Sequence, residues 1–201
     1  EAESKSNVIS VAGQVSAGHN ANAAVGAAVS IVNSDSDTSA TINNATINAQ
    51  DVIVQAISNN ESMNVAIGLS VAAGSNASLS GAGNVATNNI ANDTTVTIAG
   101  TTIDASGTVA ALANSNEVLR NYGGAASVSA NSGSISAALG GTVVVNTITG
   151  NTNAIVQNSN IVALGAGSGV NVKDYNISKD APDSSASNSS TNSSINGADV
   201  A

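Results

Sequence analysis

Cysteine, phenylalanine and tryptophan are absent from the 201 residues, and proline and methionine occur once each. Without cysteine there is no disulfide and no thiolate nucleophile or metal ligand. Aromatic residues make up 1% of the chain, as the two tyrosines Tyr122 and Tyr175. A globular core filled by large side chains to crystal-like density is therefore not to be expected. The four basic residues, Lys5, Arg120, Lys173 and Lys179, stand singly against 13 acidic ones, for a net charge of −9. No basic stripe exists to track a phosphate backbone, so nucleic acid is not an expected partner. Charged residues are only 8% and hydrophobic ones 42%, the reverse of the balance that keeps chains disordered. No apolar run approaches the ~20 residues of a membrane span. The opening EAESKS has no signal-peptide pattern.

What the chain does have is a repeat. TSATINNATINA, Thr38 to Ala49, returns as TTVTIAGTTIDA from Thr94 and as TNAIVQNSNIVA from Thr152. Thr38 to Thr94 is 56 positions and Thr94 to Thr152 is 58. Ile42, Ile98 and Val156 correspond, as do Ile47, Ile103 and Ile161. Each copy is two short alternating pieces around a polar break, at Asn43-Asn44, Ala99-Gly100 or Gln157-Asn158. Period-two alternation reads as strand, and Asn or Gly between two such pieces as a tight corner. A fixed period of such units, with no helical segment between them, predicts an all-β parallel solenoid in which each strand pairs with its counterpart one layer up. Ile42, Ile47, Ile98, Ile103, Val156 and Ile161 are its expected core.

Three repeats are expected, at residues 3–60, 61–116 and 117–175, opening on Glu3, Glu61 and Glu117. Read as three rungs of ~19 residues each, with two of ~28 as the alternative, they make nine layers and a rod of roughly 43 Å. From Lys173 the composition turns to Ser, Asn and Asp. Residues 176–192 read as a loop, and 193–201 return to a strand, because Ser194-Ile195-Asn196 matches Thr46-Ile47-Asn48. On this reading the chain is a piece of a longer one.

The segments NVISVAGQVSAG, AAVGAAVSIVN and TSATINNATINAQDVIVQA resemble a repeat of the large leukotoxin-type, filamentous haemagglutinin-like adhesins of Gram-negative bacterial surfaces. An apolar Gly/Ala segment ending in Val-Asn precedes a Thr-x-Ala-x-Ile strand at Val32-Asn33 and Thr38-Ala40-Ile42, and again at Val145-Asn146 and Thr152-Ala154-Val156. The middle copy departs at Ala86-Thr87-Asn88-Asn89. The resemblance covers nearly all of residues 3–172. It implies a right-handed parallel β-helix, type V secretion and a surface adhesin or its stalk, and it carries over no catalytic residue.

The chemistry-bearing residues are sparse. His19, the only histidine, lies in a polar corner with neither nucleophile nor orienting group in view. Asn33, Asp35 and Asp37 are spaced as at the start of a calcium loop, but the glycine at the sixth position and the Glu at the twelfth are missing, so a polar corner is the expectation. Glu3, Glu61 and Glu117 fall at the repeat period, rungs apart and too distant for a paired-carboxylate site. Asp104 is expected to face outward. Thr95-Val96-Thr97 and Thr147-Ile148-Thr149 would make an ice-binding array only if they align on successive layers. The function expected is a non-enzymatic segment of an extracellular filamentous adhesin or fibre, without cofactor, that stacks on itself end to end and meets a host or bacterial surface. A β-helical polysaccharide lyase or hydrolase, or an ice- or surface-binding solenoid, are the alternatives. One arginine and two tyrosines are a poor supply for a sugar groove.

Overall fold

Nine strands and no helix make up the computed structural model, which describes residues 1–19, 23–74, 77–133 and 135–166. The expected loop at 176–192 and return strand at 193–201 lie outside the described residues, as do Lys173, Tyr175, Lys179 and Pro182. The strands are β1 (Ala2–His19), β2 (Ala23–Asn43), β3 (Thr46–Ala49), β4 (Val52–Gly74), β5 (Ala77–Ala99), β6 (Thr102–Ala105), β7 (Val109–Asn131), β8 (Ile135–Gln157) and β9 (Asn160–Ala163). They form three parallel sheets of three, ordered β1-β4-β7, β2-β5-β8 and β3-β6-β9. The arrangement is compatible with a β-solenoid.

The repeat and the layers coincide one to one. Ile42 pairs with Ile98 and Ile98 with Val156, directly across neighbouring strands. Ile47, Ile103 and Ile161 form the same kind of column. Each ~57-residue unit therefore supplies one strand to each sheet, and the nine expected rungs are three layers. At ~4.8 Å per layer the outermost strands are ~10 Å apart, in place of a 43 Å rod. The polar stretch NSDSD, expected as a corner, is strand. Asn33 to Asp37 runs through the middle of β2 without a break. Where β1 meets β4 the register offset is 54, Ala2 to Ala56, against 56 for Ala23 to Leu79. Repeat boundaries at Glu61 and Glu117 thus fall inside β4 and β7, and the three glutamates share no column: Glu3 pairs with Ile57, Glu61 with Asn7 and Glu117 with Asn60.

The expected corners are where the motif placed them. Asn44, Gly100 and Asn158 occupy equivalent positions with φ of 51°, 60° and 51°. This is the left-handed region that asparagine and glycine tolerate best. The Asn44 amide donates to the Ala99 carbonyl at 2.9 Å and the Gly100 amide to the Gln157 carbonyl at 3.1 Å, so each corner is tied to the next layer. At the second corner the middle layer has one more residue, and the Asp51 side chain accepts the Thr108 amide at 2.8 Å.

The interior has two parts. Where the short β3-β6-β9 sheet closes the coil, Ala40, Val52, Val54, Ala56, Val96, Ile98, Ile103 and Ala105 form an apolar core, with Ile42, Ile47 and Ile161 packed against it. Of the expected core only Val156 stands out, 51% exposed on the outer-layer strand β8. Away from this end the two long sheets lie directly face to face, and the residues between them are small: Ser58, Ser62, Asn64, Ala66, Gly68 and Ser70 meet Ser78, Ser80, Ala82, Asn84, Ala86 and Asn88. A Cβ at Gly68 would stand 2.9 Å from the Gly83 carbonyl oxygen, a measure of how closely the backbones approach. So narrow a gap favours small residues, and the branched side chains Val32 and Ile90 are buried among them. Polar side chains bridge it: Ser62 donates to Asn88 at 2.8 Å, Ser58 to Asn92 at 3.1 Å, and Asn64 to the Thr87 carbonyl at 2.8 Å. Buried polar groups that find partners in this way are tolerated.

Candidate functional site

With small polar residues filling much of the space between the long sheets, many branched apolar side chains of the long strands are outside. On the outer face of the β1-β4-β7 sheet Ile9, Val11, Val15, Ile67, Val71 and Val128 are exposed. On that of the β2-β5-β8 sheet the exposed set is Val25, Val29, Ile31, Leu79, Val85, Leu139, Val143 and Val145. This second face divides along its strands. Its apolar half ends at the column Ile31-Thr87-Val145, and polar columns follow: Asn33-Asn89-Thr147, Asp35-Ala91-Thr149 and Asp37-Asp93-Asn151.

The calcium-like residues Asn33, Asp35 and Asp37 therefore project from one flat face at alternate positions. No loop curls them around a common point. The structure adds a residue the sequence reading passed over, Asp93, which is the strand partner of Asp37. The signal was present, since Asp93 precedes Thr94 as Asp37 precedes Thr38. The Asp93 Oδ1 accepts from the Asn151 backbone amide at 2.8 Å and from its side-chain amide at 3.0 Å. A shallow depression here is lined by Asp35, Asp37, Asp93, Thr149 and Asn151 among others. Among the described residues no three His, Cys, Asp or Glu side chains converge as a metal would require. Like charges directly opposite on neighbouring strands repel. Replacing Asp37 with Asn is expected to stabilise the fold by a few tenths of a kcal/mol. The gain should shrink in high salt, as denaturation at two ionic strengths would measure.

The other candidates are dispersed. His19 is the last residue of β1, exposed and paired in register with Ala73. Glu61 points outward and is ion-paired with Arg120. Glu117 points inward, where its Oε1 accepts from Ser115 at 3.0 Å, Asn92 at 2.5 Å and Asn60 at 3.4 Å. Asp104 is exposed on β6, as its place in the motif suggested. Thr95 and Thr97 lie beside Asn153 and Ile155, while Thr147 and Thr149 lie beside Asn89 and Ala91. The two Thr-x-Thr pairs are six positions out of step, and no threonine array forms. Tyr122, 49% exposed on the outer face of β7, has Val65 and Gly123 beside it rather than a groove.

The sheet edges are the remaining feature. Among the described residues β1, β2 and β3 pair on one side only, and so do β7, β8 and β9 on the other. Compared with family models, curated proteins and solved structures, the chain matches none.

Proposed function

We propose that the chain is a non-enzymatic structural segment of an extracellular filamentous adhesin or surface fibre, a right-handed parallel β-helix that joins copies of itself end to end. The observation that carries this reading is the pair of open edges. Among the described residues, each outermost strand of the two long sheets, 18 to 23 residues long, presents a row of backbone N–H and C=O groups with no strand beyond it, which is a template for another chain. Both edges belong to parallel sheets of the same coil, so β7, β8 and β9 of one copy meet β1, β2 and β3 of the next and continue the stack. The resemblance of Val32-Asn33 and Thr38-Ala40-Ile42 to adhesin repeats supplies the surface location and the role as rod or stalk. Against an enzyme stand the dispersal of the carboxylates among the described residues and the pairing of the one arginine with Glu61. Asp37 and Asp93 are adjacent, but on an open face without the aromatic wall that a sugar site uses.

Stacking adds backbone hydrogen bonds at the outer strands and nowhere else. Amide hydrogen exchange in β1, β2, β7 and β8 is therefore expected to slow as concentration rises, while β4 and β5 are unchanged. Concentration-independent exchange in all four outer strands would reject end-to-end association.

A further inference from the structure

We infer that rods of this chain also pair side by side, the apolar half of the β2-β5-β8 outer face docking on the same face of a second copy. The inference rests on the structural-rod reading above but concerns a different surface. The face is corrugated along the stacking direction. Val29, Val85 and Val143 are register partners and form a ridge. Beside it, two residues earlier on each strand, Ala27, Gly83 and Gly141 form a trough. At Gly83 and Gly141 an added Cβ would meet nothing within 4 Å, so the trough is open outward. The next ridge is Val25 with Leu139, 71% and 69% exposed.

A ridge beside a trough is complementary to itself under a two-fold axis parallel to the stacking direction and lying between them. The axis sets the valine ridge of each copy into the trough of the other and runs the facing strands antiparallel, and both rods grow the same way. Isologous contacts of this kind are the commonest in homo-oligomers. Charge selects the same operator. Asp35, Asp37 and Asp93 lie on the far half of the face, and reversing the strands carries these columns past the tip of the facing sheet. The other face-to-face two-fold, parallel to the strands, would lay acid on acid in a molecule of net charge −9.

A second copy suits this surface better than the other occupants. Heterologous protein interfaces are anchored by Trp, Tyr, Met and Arg, and the face has none. A lipid acyl layer would leave the open sheet edges without hydrogen-bond partners. Area fixes when pairing occurs. The four columns that face one another across this axis, from Val25 to Ile31, at ~6.7 Å on three strands at ~4.8 Å cover about 390 Å² per copy, roughly half of what one partner contributes to a standard stable interface. Single chains thus pair weakly. Two chains stacked end to end reach about 780 Å² per rod, so lateral pairing strengthens with stacking.

The test compares the unaltered chain with Val85→Lys, which charges the ridge, and Gly83→Leu/Gly141→Leu, which fills the trough with apolar side chains. Mass per unit length of the filaments is measured by electron microscopy, lateral dimerisation of unstacked chains by sedimentation, and folding by circular dichroism. The unaltered chain is expected to give two rods per filament cross-section, and both variants one, with concentration-dependent protection of the outer-strand amides retained. If stacking fails, a weak dimer without edge-amide protection, lost in both variants, still supports the lateral face. A strictly monomeric chain overturns it. So does a doubly filled trough that pairs as well as or better than the original, because the contact is then not keyed by ridge and trough. Loss of binding to phosphatidylcholine vesicles in Val85→Lys, with filaments one rod wide throughout, would make lipid the occupant and overturn the proposal.

Discussion

Replacing Ile98 with alanine is expected to cost about 3 to 4 kcal/mol, within the range for a fully buried isoleucine, whereas Val156→Ala, one layer up in the same column, should cost well under 1 kcal/mol. Ile98 has no exposed surface and sits among Val96, Ile103 and Ala105 of the middle layer. Val156 faces the same interior but lies on an outer strand and is 51% exposed. In a layered fold each layer contacts only its neighbours, so a cavity in the middle layer weakens both interfaces at once. Ile98→Val, expected to lose about 1 kcal/mol, keeps the comparison measurable if the alanine variant does not fold. Urea denaturation of the three variants provides the check. Equal losses at positions 98 and 156 would mean that the layers are not stacked in this order, or that the interior is not where these sheets place it.

Strand type, corners and columns were legible because each has a local cause. Alternation through Thr38-Ala40-Ile42 marks a strand, and Asn44, Gly100 and Asn158 mark the bend because they accept a positive φ. Matching motif positions put Ile42 with Ile98 and Ile47 with Ile103 on the same wall, but three rungs apart, whereas each pair is directly adjacent across neighbouring strands. The number of layers was not legible. A polar stretch such as Ser34-Asp35-Ser36-Asp37 reads as a corner when hydrophobicity alone is followed. In β2 its serines turn inward, where Ser36 and Ser4 hydroxyls are 3.3 Å apart, and its aspartates turn outward. The same inversion hid the surface. The alternation Val65-Ile67-Leu69-Val71 has the appearance of a core face, yet Ile67 is 54% exposed while Asn64, Ala66 and Ser70 are fully buried. Two sheets packed so closely that small residues fill most of the space between them reverse the usual assignment over much of their length, and periodicity gives the alternation without saying which side is inside.

That reversal makes Gly68 and Gly81 opposite in their expected behaviour. Gly68 of β4 faces the opposing sheet, and a methyl group there would stand 2.9 Å from the carbonyl oxygen and 3.5 Å from the carbonyl carbon of Gly83. Backbone cannot move aside as a flexible side chain can, so Gly68→Ala has to part the sheets locally. Overpacking of this kind costs about 1 to 3 kcal/mol, and it also strains the neighbouring Ser70–Ala24 and Asn64–Ser30 hydrogen bonds across the same gap. Gly81 of β5 points outward, with nothing within 4 Å of an added methyl and no positive φ to oppose it. There the substitution mainly restricts the unfolded chain and should stabilise the fold by about 0.4 to 1 kcal/mol. The sign of the pair is the informative quantity. A one-residue slip in strand register exchanges the faces of every side chain, and under such a slip Gly81→Ala would be the damaging change and Gly68→Ala the benign one. Thermal and urea denaturation of both single variants therefore decide which side of the long sheets is the interior. Stabilisation at position 68 with destabilisation at position 81 would place Val25, Val85 and Leu139 in the core and remove the surface on which lateral pairing depends.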